Sequence, residues 1–125
     1  MPLRWTISHD ERLVMVTAEG PLTLLEIEAY FDALVLAKAQ PYAKLLDATK
    51  MEARLSDADV MAIGARMSAY VKEQKWEGGP AAFVATSRVN REFIQRFINL
   101  TASPRQAKIF QTVDEARRWL DGQMR

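Results

Sequence analysis

The chain has 125 residues, no cysteine, 17 basic and 16 acidic side chains, and 49% hydrophobic residues. That length fits one domain, residues 1–125, able to bury roughly two-thirds of its unfolded surface. The balanced charge gives no pull towards nucleic acid or an anionic membrane, and the missing thiols exclude disulfides, Cys-based zinc sites and thiol catalysis.

Arg4–Ser8 alternates polar and apolar, with Trp5 and Ile7 on one face, as a half-buried strand does. After the polar break His9-Asp10-Glu11-Arg12, the run Leu13–Thr17 is apolar on both faces, so the pair predicts an antiparallel hairpin whose second strand is covered. Gly20-Pro21 breaks the pattern and Thr23 opens a helix that buries Leu24, Ile27, Phe31, Leu34 and Val35 and stops at Pro41. Tyr42–Ala48 is the third strand, with Asp47 near its end, and Thr49–Arg54 is a polar connection.

Ser56 opens the second helix, whose inward stripe is Val60, Ile63, Met67, Tyr70 and Val71. Gly78-Gly79-Pro80 closes that unit as a turn needing a permissive backbone, and Ala81–Ala85 is the fourth strand. The third helix starts at Ser87, buries Val89, Phe93, Ile94, Phe97 and Ile98, and ends at Ser103-Pro104. Ala107–Phe110 is the fifth strand, and Thr112 caps a last helix with Val113, Ala116, Trp119 and Leu120 inward.

Each candidate cap follows a strand. Thr23 has Glu26 and Thr112 has Glu115 at capping-box spacing, while Ser56 has the shorter Asp59. The order β-β-α-β-α-β-α-β-α predicts an α/β fold. It is a single five-stranded, mostly parallel sheet with an antiparallel first strand, because parallel neighbours need long right-handed crossovers.

Most catalytic signatures fail. There is no phosphate-binding glycine loop, and Gly78-Gly79 precedes a strand rather than a helix. His9, the single histidine, sits in a polar turn, which excludes a histidine-rich metal site and leaves a catalytic triad with one solvated candidate base. No catalytic residue, metal site or cofactor is assigned.

In open α/β sheets ligands gather at the carboxyl ends of the strands, beside helix N-termini. That rim is expected to carry Asp47, Thr49, Ser56, Thr86, Ser87, Arg88, Gln111 and Thr112, and the third helix displays Arg88, Arg91, Gln95, Arg96 and Asn99. Capping alone accounts for Ser56, Ser87 and Thr112. Asp47 either positions a ligand or accepts hydrogen bonds from the following loop. Arginines on one helix face suit an acidic partner or a phosphate, and equally a solvated surface. The candidate rim is therefore Asp47, Thr49, Ser56, Thr86, Arg88 and Arg91. Met15, Met51, Met61 and Met67, with Phe31, Phe83, Phe93 and Phe97, are core residues that could also line an apolar pocket.

Three passages carry a family resemblance: Ala18-Glu19-Gly20-Pro21-Leu22-Thr23 leading into a helix, the strand Lys44-Leu45-Leu46-Asp47-Ala48-Thr49, and the closing Ile109–Ala116 with Trp119-Leu120. Together they resemble the SpoIIAA-like and STAS group, small bacterial domains related to anti-sigma-factor antagonists, over nearly the whole chain. In the group's phosphorylatable antagonists an Asp-Ser-Ser-Gly loop opens the second helix; this chain has Leu55-Ser56-Asp57-Ala58 there. The departure points to the less characterised SpoIIAA-like branch.

The resemblance implies a non-enzymatic regulatory or binding domain acting through a protein partner or a small ligand. An alternative is a carrier of a lipid or other small hydrophobe, as in the similarly folded CRAL-TRIO domains, which requires an apolar cavity of at least ~300 Å³. A small enzyme built on Asp47 with a hydroxyl neighbour ranks last. The opening residues lack a secretory pattern, and no apolar run approaches the ~20 residues of a membrane span, so a cytoplasmic protein without an integral membrane segment is expected. Homodimerisation through an edge strand or helix face is compatible with the pattern.

Overall fold

The computed structural model describes residues 3–52, 54–74, 79–100 and 106–123, with backbone alone for 70–74 and 100. The elements are β1 (Leu3–Ser8), β2 (Leu13–Pro21), α1 (Leu24–Leu36), β3 (Ala43–Glu52), α2 (Asp57–Gln74), β4 (Ala81–Val84), α3 (Arg88–Leu100), β5 (Ala107–Phe110) and α4 (Val113–Gln123). The five strands lie in the order β1-β2-β3-β4-β5, with β1 antiparallel to β2 and the other pairs parallel. Both the element order and the mixed sheet are those expected from the strand and cap rhythm.

Strand order explains the layering. Each parallel step moves one place in the same direction, and right-handed crossovers then put every connecting helix on one face of the sheet. Accordingly Val14, Val16, Ala48 and Phe83 pack with Ile27, Phe31 and Leu34 of α1, Val60, Ile63 and Met67 of α2, and Phe93 and Ile94 of α3. Helix α4 follows the last strand and is released to the opposite face. There Ala116, Leu120 and Trp119 cover Leu13, Leu45, Ala82, Val84 and Phe110.

The caps form, with their chemistry redistributed. At α1 the Glu26 N–H donates to Thr23 Oγ1 at 3.3 Å, but the Glu26 carboxylate accepts from the Thr23 hydroxyl at 3.0 Å and from the edge-strand Leu3 N–H at 3.2 Å. Thr112 and Glu115 repeat the hydroxyl–carboxylate version. The fully reciprocal box is the one with the shorter acid: Ser56 N–H to Asp59 Oδ2 at 3.2 Å and Asp59 N–H to Ser56 Oγ at 3.1 Å.

Several stripes shift by a residue. Val89 is 68% exposed and Val113 is 38% exposed, while Asn90 and Tyr30 are buried. On α3 the inward spacing is Asn90, Phe93, Ile94 and Phe97, which turns Val89 outward. Val113 is the first residue of α4, three positions beyond the end of β5. Met61, expected in the core, is 62% exposed. The side chains of Tyr70 and Val71, and the breaks at Gly78 and Ser103-Pro104, lie outside the described residues.

Helix α1 stops before Pro41. Lys38 N–H donates to Val35 O at 3.1 Å and Ala39 N–H to Leu34 O at 2.9 Å, the paired bonds of a Schellman ending. This ending places Lys38 at φ 56°, the left-handed region that glycine occupies without steric cost. Lys38→Gly is therefore expected to stabilise the protein by about 0.5–1 kcal/mol, a rise of roughly 3 °C in the thermal midpoint followed by circular dichroism.

Candidate functional site

Strand β3 runs past Asp47 to Glu52, so the rim does not begin where the apolar run ends. Thr17 pairs with Asp47 but Glu19 pairs with Lys50, so β3 accommodates one extra residue across this step. An extra residue leaves backbone groups unpaired, and Asp47 supplies the missing acceptor. Its Oδ1 takes the Thr49 N–H at 3.1 Å and the Thr49 hydroxyl at 2.7 Å. Gly20, on the facing part of β2, has φ +72°. Asp47 and Thr49 thus hold a bulge within the sheet, on a strand expected to end at Ala48. The carboxylate and hydroxyl that an enzyme reading would use are committed to each other and to the backbone.

Beyond Asp47, β3 has no β4 partner, because β4 ends at Val84 opposite Asp47. The carbonyls there are taken up from α3. Asn90 Nδ2 donates to Ala48 O at 3.1 Å and to Met51 O at 3.0 Å, and Asn90 is 5% exposed. Ser87 Oγ caps the helix by accepting the Asn90 N–H at 3.1 Å. One first-turn residue therefore ties α3 to the extended strand and fixes the position of the arginines beside it.

These arginines line a shallow groove of about 490 Å³ at the carboxyl end of the sheet, between α3 and β5. Its walls are Thr86, Arg88, Arg91, Glu92, Gln95, Ile109 and Gln111. Of the sequence-predicted rim, Thr86, Arg88 and Arg91 come together here; Asp47, Thr49 and Ser56 are not among the lining residues. Arg88, with a side chain 90% exposed, pairs with Glu92 at 2.8 Å one turn on. Helices α1, α2 and α4 all carry acids in their first turn, and α3 carries none. Positive side chains at a helix N-terminus oppose the helix dipole. An incoming anion would meet the dipole and both guanidinium groups favourably.

A second hollow, of about 90 Å³, lies between the sheet and helices α1–α3, lined by Val16, Phe31, Leu46, Met67, Phe83, Phe93 and other core residues. It falls well short of the ~300 Å³ that a carried ligand requires. Met51, Met67 and the four named phenylalanines line it, whereas Met15 packs on the opposite face and Met61 faces outward. Lys44, missed as a core residue, is 4% exposed on its wall and donates to Gln40 O at 2.5 Å and Tyr42 O at 2.7 Å. No described helix is long and apolar enough to cross a membrane, and the described residues include no cluster of three or more metal-ligating groups.

No protein family profile matches the chain, and no curated protein matches it significantly. Solved structures do. An uncharacterized DUF3478-family protein with a SpoIIAA-like fold from Shewanella loihica aligns with TM-score 0.60 and 21% identity, over 94% of this chain and 91% of that one. An anti-sigma factor antagonist from Mycobacterium paratuberculosis aligns with TM-score 0.56 and 18% identity, over 95% of this chain and 94% of that one. The chain has the SpoIIAA-like fold that its sequence passages resemble.

Proposed function

We propose that this SpoIIAA-like domain is a non-enzymatic regulator that binds an acidic segment of a protein partner in the α3–β5 groove. The observation that carries the reading is the pair Arg88 and Arg91 on the start of α3, which alone among the described helices has no acid in its first turn, opening onto that groove. A solved protein of the same fold is an anti-sigma factor antagonist, a regulator by name, and that mode of action is carried over here as part of the proposal. Arginine forks hold carboxylates through two parallel bonds, and Thr86, Gln95 and Gln111 offer neutral hydrogen-bonding groups around them. The Arg88–Glu92 pair is solvated and contributes little to folding, so an incoming carboxylate can take over the guanidinium. The 90 Å³ hollow gives no support to the carrier alternative.

The test is affinity capture from the source organism's lysate, quantified by mass spectrometry, with wild type and Arg88→Glu/Arg91→Glu as baits. At least one protein is expected to be enriched about tenfold on wild type, lost from the variant, and weakened at high salt. The variant's thermal midpoint should not fall appreciably, since neither side chain is buried and acids at a helix start suit the dipole, offsetting the lost Arg88–Glu92 pair. Identical captured sets on both baits would reject the groove as the contact surface.

A further inference from the structure

The outer faces of α3 and α4 are densely charged, whereas those of α1 and α2 combine a few charged groups, among them Asp32, Arg66 and Asp57, with exposed apolar side chains. On α1 Leu25 is 78% exposed and Leu36 is 87% exposed, and on the neighbouring α2 Met61 is 62% exposed. Ala62, Ala65 and Ala69 are exposed beside Met61, and between Val60 and Ala69 the one charged residue is Arg66. Two exposed leucines on α1 beside an exposed methionine and three exposed alanines on the adjoining α2 make an apolar patch of the kind that marks a contact surface.

We propose that this α1–α2 face is where a second copy of the chain docks, in a two-fold arrangement that crosses α1 of one protomer over α2 of the other. Shape favours a second copy because the same surface carries both halves of the fit. Leu25 and Leu36 project from α1 about 16 Å apart, and the alanines of α2 form a low floor to receive them, so a two-fold axis makes the fit twice.

Charge agrees. Arg66 of α2 is held by Glu28 and Asp32 of α1, at 2.8 Å and 2.6 Å, so the acids lie on one helix and the base on the other. Crossing α1 over the partner's α2 sets the Asp32 carboxylate, 58% exposed, against an arginine and not against another acid.

Area sets the strength. Two adjacent helices, one of them 13 residues long, present a face of roughly 20 Å by 20 Å. Two such faces bury roughly 800 Å² in total, below the ~1,200–2,000 Å² of stable specific interfaces and of the size of a weak, reversible dimer.

Sedimentation velocity of the full chain from ~5 to ~500 µM tests this, a range suited to weak interfaces. Wild type should show a concentration-dependent monomer–dimer equilibrium. Leu25→Glu/Leu36→Glu should raise the dimer dissociation constant by about 100-fold or more, because it places unpaired carboxylates in the apolar contact. Ala65→Arg, a separate change on the floor, should act in the same direction, and both variants should keep the wild-type thermal midpoint because these side chains are exposed. Arg88→Glu/Arg91→Glu should leave the dimer intact, which separates this surface from the α3–β5 groove. A wild type that stays monomeric throughout, or a dimer insensitive to both the leucine and the alanine changes, would overturn the proposal. A monomer that captures a different protein on this face would overturn it equally.

Discussion

Asn90→Ala is expected to destabilise the protein by about 3 kcal/mol and to lower its thermal midpoint by roughly 10 °C. The substitution does not merely remove two hydrogen bonds. It strands the carbonyls of Ala48 and Met51, both on buried residues, at a point where β3 has outrun its neighbour and no strand can replace the lost donor. An unsatisfied buried acceptor costs about 1–3 kcal/mol, more than the bond contributes when made. Asn90→Asp should fare no better, since it turns the donor into a third acceptor facing two carbonyls. Equilibrium denaturation of both variants beside wild type is the measurement. A loss below about 1 kcal/mol in both would mean that water or a neighbouring group replaces the amide.

The same residue shows where the sequence is legible and where it is not. Topology was legible, because five short apolar runs separated by cap-and-stripe segments admit few arrangements. Which residue of a stripe points inward was less so. Val89 and Asn90 are neighbours, and hydropathy favours Val89 although Phe93, Ile94 and Phe97 share their spacing with Asn90. A buried asparagine has no hydropathy signal, since its reason for burial lies in a strand some 40 residues earlier in the chain. Lys44 escaped for a like reason: its charge suggests exposure, but its ammonium reaches carbonyls of the preceding turn.

Asp47 is the opposite case. Sequence alone offered it two roles, and the register shift between β2 and β3 supplies the structural one. Of the candidate rim, the residues that gather in a groove are those on the β4–α3 connection and α3 itself, where the strand does end as expected. Those on β3 do not gather, because a strand's end depends on its neighbour's length as well as on its own composition. Residues 50–52 pair with β2 at Glu19, Gly20 and Pro21, beyond the apolar run that marked the end of β2.

The largest single effect is expected at Gly79, where Gly79→Ala should cost more than about 4 kcal/mol and yield a protein largely unfolded at 37 °C. Sequence suggests a turn that needs a permissive backbone, but the requirement is one of space. A methyl group on Gly79 would sit under 3.0 Å from the carbonyl oxygens of Pro41 and Tyr42, whereas at Gly20 and Gly122 it would meet nothing within 4 Å. Relief requires the 41–42 segment to move, and that segment is held from several sides. Lys44 Nζ binds Tyr42 O at 2.7 Å from the core, Tyr42 N–H donates to Ala39 O at 3.1 Å, and the Tyr42 hydroxyl meets His9 Nδ1 at 2.7 Å. Immediately after it, Ala43 N–H and Lys44 N–H are committed to Arg12 O and Pro80 O. Although Pro41 itself is exposed, moving the turn would therefore disturb the hairpin, the buried lysine and the start of β3 together. Thermal unfolding of Gly79→Ala decides the matter: a midpoint within about 3 °C of wild type would show that the 41–42 backbone does not rest on Gly79.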